Sequence, residues 1–388
     1  MRHLLGIGCQ RLAFDQLGIE VEMVGISEID KYALQSYMAI YGDTKNFGSI
    51  CDIQSLPEVD VFTWSFPCTD LSKAGKQKGL TNTRSGLVYE VLRILHNTEH
   101  KPKVLIMENV VDLVQTKFIR EFQSIQHELE LMGYTNYAET MNAKDYGVAQ
   151  NRDRVFMVSI LGEYYYEFPK PFPLEKKWKD YKEDNVDEKY YIKSDLIEHI
   201  EKTGVDRGNY IQYDRYNGEF ESLSRVWRDI APTLHTKCNE IKMEVEDDSY
   251  LVILEDCGKK LVKKTDVALT LMARDYKGFG NQGMTAVVEK TKRVRRLTPL
   301  EAWRLMGIDD KCYHKARKVC SSSQLYKQAG NGIVVDVFAQ IVGKMKDDNR
   351  IKKCVGSVVV RGKPDQPVYI EICKNCSKQE CICEKEKI

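Results

Sequence analysis

VDVFTWSFPCTD, residues 59–70, is a strand-like apolar run that stops on a proline–cysteine pair. Val, Phe and Trp suit a pleated, buried surface. Pro67 ends the run, because proline has no N–H to donate to a strand ladder. Taken alone, Cys68 reads as a small buried hydrophobe. At the end of a strand, on a turn stiffened by proline, it reads instead as a nucleophile. Three further apolar runs flank it, VEMVGIS (21–27), KVLIMEN (103–109) and RVFMVSI (154–160). Amphipathic stretches near 28–40, 85–98 and 117–132 lie between them. Strands alternating with helices predict an α/β fold on a mostly parallel sheet. Ligands bind such sheets at the carboxyl ends of the strands. Those ends carry Glu28, Pro67–Cys68 and Glu108–Asn109.

The bulk numbers limit the function classes. The 388 residues are enough for two or three domains, at roughly 150 residues each. A formal net charge of +1 gives no global field for a polyanion, so a nucleic-acid face must come from local Lys and Arg. MRHLLGIGCQ (1–10) lacks the apolar core of a signal peptide. No run approaches the ~20 apolar residues of a membrane span. The 12 cysteines are then expected to be free thiols in a reducing cytoplasm. Clustered ones point to metal. Cys373, Cys376, Cys381 and Cys383 place four thiols in eleven residues, which can hold zinc tetrahedrally or form a reduced tail.

The texture changes after the first 162 residues. EYYYEFPKPFPLEKKWKDYKEDNVDEKYY (163–191) is aromatic, charged and proline-bearing, and marks the entry to a second, irregular domain. SYLVILED (249–256) and MTAVVEK (284–290) predict strands there. In RLTPLEAWRLMGI (296–308), Thr298 reads as N-cap, Pro299 as the first helical residue and Glu301 as the closing side of a capping box. QAGNGIVVDVFAQIVGKM (328–345) predicts a Gly–Asn–Gly turn and an apolar helix. The basic run KTKRVRR (290–296) is either a solvated face or a phosphate contact. The predicted units are 1–162, 163–290, 291–347 completing the first, and a Cys-containing tail, 348–388.

GIG (6–8), SEID (27–30), SFPC (65–68), ENV (108–110), QNRDR (150–154), LTPLEAWRLMG (297–307) and QAGNG (328–332) together, in this order, resemble the motif set of the C5-cytosine DNA methyltransferases. The resemblance covers roughly 1–160 and 290–345. It implies a Rossmann-like, S-adenosylmethionine-dependent methyltransferase domain and a smaller target-recognition domain. The implied chemistry is coherent. Cytosine C5 is a poor nucleophile, and a thiolate adding to C6 makes C5 carbanion-like, which is the role of Cys68. Glu108 would stabilise the charge at N3, and Asn109 would hold its turn. Arg152 and Arg154, two apart on an extended segment, would orient the base's carbonyl oxygen and an adjacent phosphate, or stabilise charge near the thiolate. The base must be flipped out of the duplex.

For the cofactor, the resemblance implies Gly6, Ile7 and Gly8, then Glu28 on the ribose hydroxyls beside Ile29, Asp52 with Ile53 at the adenine, and Pro67, Leu87 and Asn331. For DNA it implies Thr233–Leu234; separately, RDYKGFGNQG (274–283), with Arg274 and Lys277, is glycine-rich with interleaved aromatic and basic residues, and reads as a groove-inserting segment or an ordinary loop. Arg2, Leu4 and Thr69 depart from the family pattern, standing where an acid, an aromatic and a glutamine are usual. Two rivals follow. One is a DNA-binding homologue with impaired catalysis, supported by Arg2 and Leu4. The other is a transfer-RNA cytosine methyltransferase, whose Cys-Phe-Thr element is replaced here by TKCNE (236–240). The implied partners are double-stranded DNA and, for a restriction-modification enzyme, a cognate endonuclease. The expected state is a monomer in a prokaryotic or phage-infected cell.

Overall fold

The computed structural model describes residues 6–66, 86–191, 211–213, 220–222, 249–254, 262–277, 284–289, 291, 293–347, 357–360 and 368–371. Its central sheet runs β1 (Val61–Ser65), β2 (Val104–Val110), β5 (Asp153–Leu161) and β3 (Tyr134–Asn142), side by side in that order. β1 and β2 pair in parallel, with Ser65 opposite Glu108. The helix α3 (Leu87–Asn97) lies between them in the chain, and parallel neighbours need such a crossover. A parallel bridge, Ile26 to Asn46, adds to this side of the fold. β5 is antiparallel to both β2 and β3. Only residues 143–152 join β3 to β5, and they include the short β4 (Gln150–Asn151); so short a link suits antiparallel neighbours.

The apolar runs fall where the pattern predicts, and period two explains the layering. On β2, Val104 and Ile106 face one core, and Leu105 and Met107 face the other. On β5, Phe156, Val158 and Ile160 alternate with Val155 and Met157 in the same way. α3 and α4 (Ile119–Leu131) cover the face of Leu105, Met107 and Trp64. α1 (Cys9–Gln16) lies on the opposite face, while α2 (Lys31–Tyr41) packs beside it. β3 was not expected. Its sequence YTNYAETMN is mostly polar, and as an edge strand it is identified only by its pairing with β5. The expected strand at 21–27 is reduced to the single bridge at Ile26.

The second region holds an antiparallel sheet, β12 (Val294–Arg296), β11 (Met284–Glu289), β8 (Ser249–Leu254) and β9 (Val262–Thr265). Two strand pairs, β6 (Ile211–Tyr213) with β7 (Phe220–Ser222) and β13 (Ser357–Val360) with β14 (Val368–Glu371), form separate two-stranded ladders. β10 (Ala268–Leu269) pairs in parallel with β4 and so reaches back to the first sheet's segment. Four further helices follow: α5 (Pro299–Arg304), α6 (Asp310–Arg317), α7 (Ser322–Asn331) and α8 (Val335–Asp347). α5 has the capping box read from the sequence: Glu301 N–H donates to Thr298 Oγ1 at 3.2 Å, and Thr298 N–H to Glu301 Oε2 at 2.8 Å. α8 returns to α1, with Phe338 edge-on to Phe14 at 6.2 Å. Its buried residues share one core with Ile7, Val158 and Trp303. The helix α7 continues through Asn331 and ends at Gly332, so the Gly–Asn–Gly element is a helix end rather than a free turn.

Within the basic run at 290–296 the arginines have protein partners. Arg295 is fully buried, its guanidinium forked onto both Glu301 oxygens at 2.8 Å, with Glu289 on Nε. Arg293 pairs with Glu188, and Arg296 donates to Tyr276 O at 2.9 Å. Among the described residues, no helix is long and apolar enough to cross a membrane. Arg295→Met would leave Glu301 and Glu289 without their shared cation. Removing one partner of a buried pair costs about 3–5 kcal/mol. Denaturant unfolding should show a loss of that size.

Candidate active site

The site grows from the ends of β1 and β2. Their parallel register sets Ser65 against Glu108, and Ser65 Oγ donates to Glu108 Oε2 at 3.2 Å. Arg154, near the start of β5, stands opposite Val110 and reaches Glu108 Oε1 with Nε at 3.0 Å. Glu108 is 7% exposed, so this is a nearly buried charge pair with a third polar partner. Asn109 then turns inward. Its Nδ2 donates to Phe66 O at 3.2 Å, and its Oδ1 accepts Val110 N–H. The last described residue of the SFPC stretch, Phe66, is thereby fixed to the Glu108–Asn109 edge.

Arg152 and Arg154 do not act as one pair. Arg152 sits in the break between β4 and β5, where its N–H donates to Asn142 Oδ1 at 3.2 Å. Its guanidinium, almost wholly buried, donates to Leu271 O at 3.1 Å, Gly330 O at 3.1 Å and Gly332 O at 2.8 Å. Arg154 instead points to Glu108 and to Asp153 O.

The predicted cofactor residues fall into two connected groups. Glu28 is buried, and its carboxylate accepts the N–H groups of Gly6 at 3.1 Å, and of Ile29 and Asp30 at 2.7 Å. Asn46 brackets the Glu28 peptide, accepting from its N–H and donating to its carbonyl. Asp30, not Glu28, caps α2, accepting from Tyr32 and Ala33. Gly6 has φ +62°, and no atom lies within 4 Å of where its Cβ would be. A side chain there would be strained and would fill open space next to Glu28. Ile7 and Gly8 are buried at the start of α1. Ile29 is apolar yet 41% exposed. Asn331 is exposed at the end of α7, which is fastened to α2 by Lys327 Nζ on Asp30 Oδ2 at 2.8 Å and by Gln328 on Tyr32 O.

The second group is Asp52, exposed in a turn that Ser49 caps, half-buried Ile53, and Leu87 at the start of α3. Arg93 of α3 donates to Ile53 O at 2.8 Å and joins these two segments. An acid with backbone-fixed geometry, an exposed aliphatic without a cover, an open glycine and an exposed amide fit an adenosyl ligand.

Sequence reasoning missed Thr270–Leu271. Thr270 Oγ1 donates to Asn151 O at 2.6 Å, and Leu271 N–H donates to Gln150 Oε1 at 3.3 Å. A second Thr–Leu pair in ALTLMARDYK (268–277) was the available signal. Arg274 and Lys277 are exposed on the turn that follows. Thr233, Leu234, Pro67, Cys68, Cys373, Cys376, Cys381 and Cys383 lie outside the described residues. Among the described residues, no cluster of His, Cys, Asp and Glu could hold a metal ion.

Beside Thr270 is a small cleft of about 20 Å³, lined by Asp275, Met284, Thr285, Arg296 and Tyr326. Burial pushes the Asp275 carboxyl up to about 6, against the pull of Met272 N–H, Arg274 and Arg152. A carboxylate raised by folding is destabilising in its charged form. The native state therefore loses stability as pH rises from the ordinary carboxylate range through about 6, and no more above it. Asp275→Asn should raise stability at pH 8 by roughly 1 kcal/mol, allowing for partial exposure. The gain should vanish near pH 4, as thermal melts across pH would show.

The sequence pattern of the C-5 cytosine-specific DNA methylase family matches residues 4–347. The type II methyltransferase M2.ScrFI of Lactococcus lactis subsp. cremoris is 32% identical, over 87% of this chain and 95% of that protein. The type II methyltransferase M.HhaI of Haemophilus parahaemolyticus is 29% identical, over 87% and 90%. Among solved structures, the Entamoeba histolytica methyltransferase EhMeth is similar in fold, with a TM-score of 0.62 at 17% identity, over 89% of this chain and 96% of that one.

Proposed function

The chain belongs to the C-5 cytosine-specific DNA methylase family, and we propose that Cys68 is the nucleophile with which it methylates a cytosine flipped from a specific duplex site. It is an S-adenosylmethionine-dependent enzyme of that family. The observation that carries the residue assignment is the nearly buried Ser65–Glu108–Arg154 cluster, fixed by Asn109 to Phe66. Only Pro67 separates Phe66 from Cys68, so their Cα atoms are about 7 Å apart at full stretch.

In this reading the Cys68 thiolate adds to C6, and the ring's electron pair moves to C5. Glu108 holds a proton at N3 as negative charge develops, and Arg154 orients both Glu108 and the base's carbonyl oxygen. S-adenosylmethionine, when bound, supplies the electrophilic methyl group. Solvent water then takes the C5 proton, the C5–H electron pair restores the C5–C6 double bond, and the C6–S bond breaks to return the thiolate. Gly6, Ile7, Gly8, Glu28, Ile29 and Asn331 would hold the cofactor on one side, and Asp52, Ile53, Pro67 and Leu87 on the other. Arg274 and Lys277, with Thr270, would meet DNA. Arg152 contacts backbone carbonyls on two segments and is assigned to positioning.

The wider reading is a monomer acting on double-stranded DNA in a prokaryotic cytoplasm, with or without a cognate endonuclease. The spacing of Cys373, Cys376, Cys381 and Cys383 supports an accessory zinc site, which metal analysis of the purified chain would test.

The direct test incubates the full-length protein with tritiated S-adenosylmethionine and either duplex DNA of mixed sequence or transfer RNA. Bisulfite sequencing then locates the mark. Duplex DNA should be labelled at cytosine C5. Cys68→Ala should abolish labelling, and Glu108→Gln should lower it by about 10²–10⁴-fold. Label in Cys68→Ala, or label on transfer RNA alone, would overturn the assignment.

A further inference from the structure

We propose that Arg152 couples the cofactor site to the DNA-recognition segment, so that each ligand's affinity depends on the other. The inference rests on the functional reading above. Two independent observations carry it. First, one guanidinium holds both sides: Nη2 donates to the carbonyls of Gly330 and Gly332, which bracket Asn331, while Nη1 donates to Leu271 O. Second, Gly330 lies directly on the recognition backbone. A Cβ at Gly330 would stand 2.2 Å from Ala273 N and 2.3 Å from Met272 C. Such spacing admits only glycine, because a backbone cannot give way as a flexible side chain can.

The Leu271 peptide is held at both polar groups. Gln150 Oε1 takes its N–H and Arg152 takes its carbonyl. Gln150 Nε2 in turn donates to Leu305 O at 2.7 Å, anchoring the pair to the end of α5. Residues 271–273 and 330–332 therefore move as one body, with Arg152 as the pin. A cofactor that settles against Asn331 fixes the carbonyls on either side of it. Those carbonyls fix Arg152, and Arg152 fixes the segment that leads to Arg274 and Lys277. Binding linkage is reciprocal, so DNA on that segment must tighten the cofactor by the same factor. Arginine is required because its planar fork reaches carbonyls in two directions; a lysine ammonium on a flexible stem does not hold the two segments in fixed register.

The test measures a ratio. The dissociation constant of a fluorescein-labelled duplex bearing the methylated site is measured with and without saturating S-adenosylhomocysteine. The reciprocal pair is measured by calorimetry. Wild type should show the same ratio both ways, within the roughly 5–150-fold span of such couplings. Arg152→Lys should bring that ratio toward 1, whatever it does to each affinity alone. A role only in folding would weaken both ligands and leave the ratio in place. Because a buried arginine variant can misfold, hydrogen–deuterium exchange on the wild type supplies a second arm. S-adenosylhomocysteine alone should slow exchange in residues 270–277. A wild-type ratio of 1, an unchanged ratio in Arg152→Lys, or no protection at 270–277 with ligand bound would each overturn the proposal. Failure of the wild type to bind S-adenosylhomocysteine at all would instead overturn the cofactor reading beneath it.

Discussion

A guanidinium cannot shed its charge inside a protein, so a buried arginine obliges the chain to surround it with acceptors. Arg152 is such a residue, 3% exposed. The acceptors it uses come from Leu271, Gly330 and Gly332, which are 119 to 180 residues away in sequence. Meeting that demand brings the C-terminal helices and the segment around Leu271 back onto the first sheet. The parallel pairing of β10 with β4 and the packing of α8 on α1 follow the same path. The cost of leaving the cation unsatisfied holds together parts of the chain that no local signal connects.

The Ser65–Glu108–Arg154 cluster depends on strand register in a similar way. Side chains alternate along a strand, so a slip of one residue would turn Glu108 into a core and bring Met107 or Asn109 to its place. The parallel register of β1 on β2 and the antiparallel register of β5 set Ser65, Glu108 and Arg154 within hydrogen-bonding reach. The two apolar cores, alternating along β2 and β5, hold that register from both faces. Stability and chemistry thus share one constraint.

The second sheet and α5 show how charge is used. Arg295 and Glu301 are paired inside, and the same Glu301 closes the cap of α5 and accepts Glu183 N–H. One carboxylate fixes a helix start, a basic strand and the linker region at once. Arg293 and Arg296 are likewise held by Glu188 and by Tyr276 O. The three arginines of this run thus join segments of the chain. The exposed cations Arg274 and Lys277 lie instead on the turn after Thr270–Leu271.

The sequence alone determined what local chemistry can encode. Apolar periodicity placed β1, β2, β5, α3 and α4 to within a few residues, and Thr298, Pro299 and Glu301 marked the start of α5. Residue type at the strand ends singled out Glu28, Glu108 and Asn109. Periodicity is a property of neighbours, so it was legible. The tertiary structure decided partners. It gave Arg154 to Glu108 and Arg152 to three distant carbonyls, although the two arginines look alike in QNRDR. It buried Arg295, recruited Ser65, brought Thr270–Leu271 to Asn151, and made a strand of the polar 134–142 segment. Those outcomes depend on which acceptor a charge or a strand edge meets after folding, and that choice is made over separations of a hundred residues or more as well as between neighbours. No window of sequence contains it.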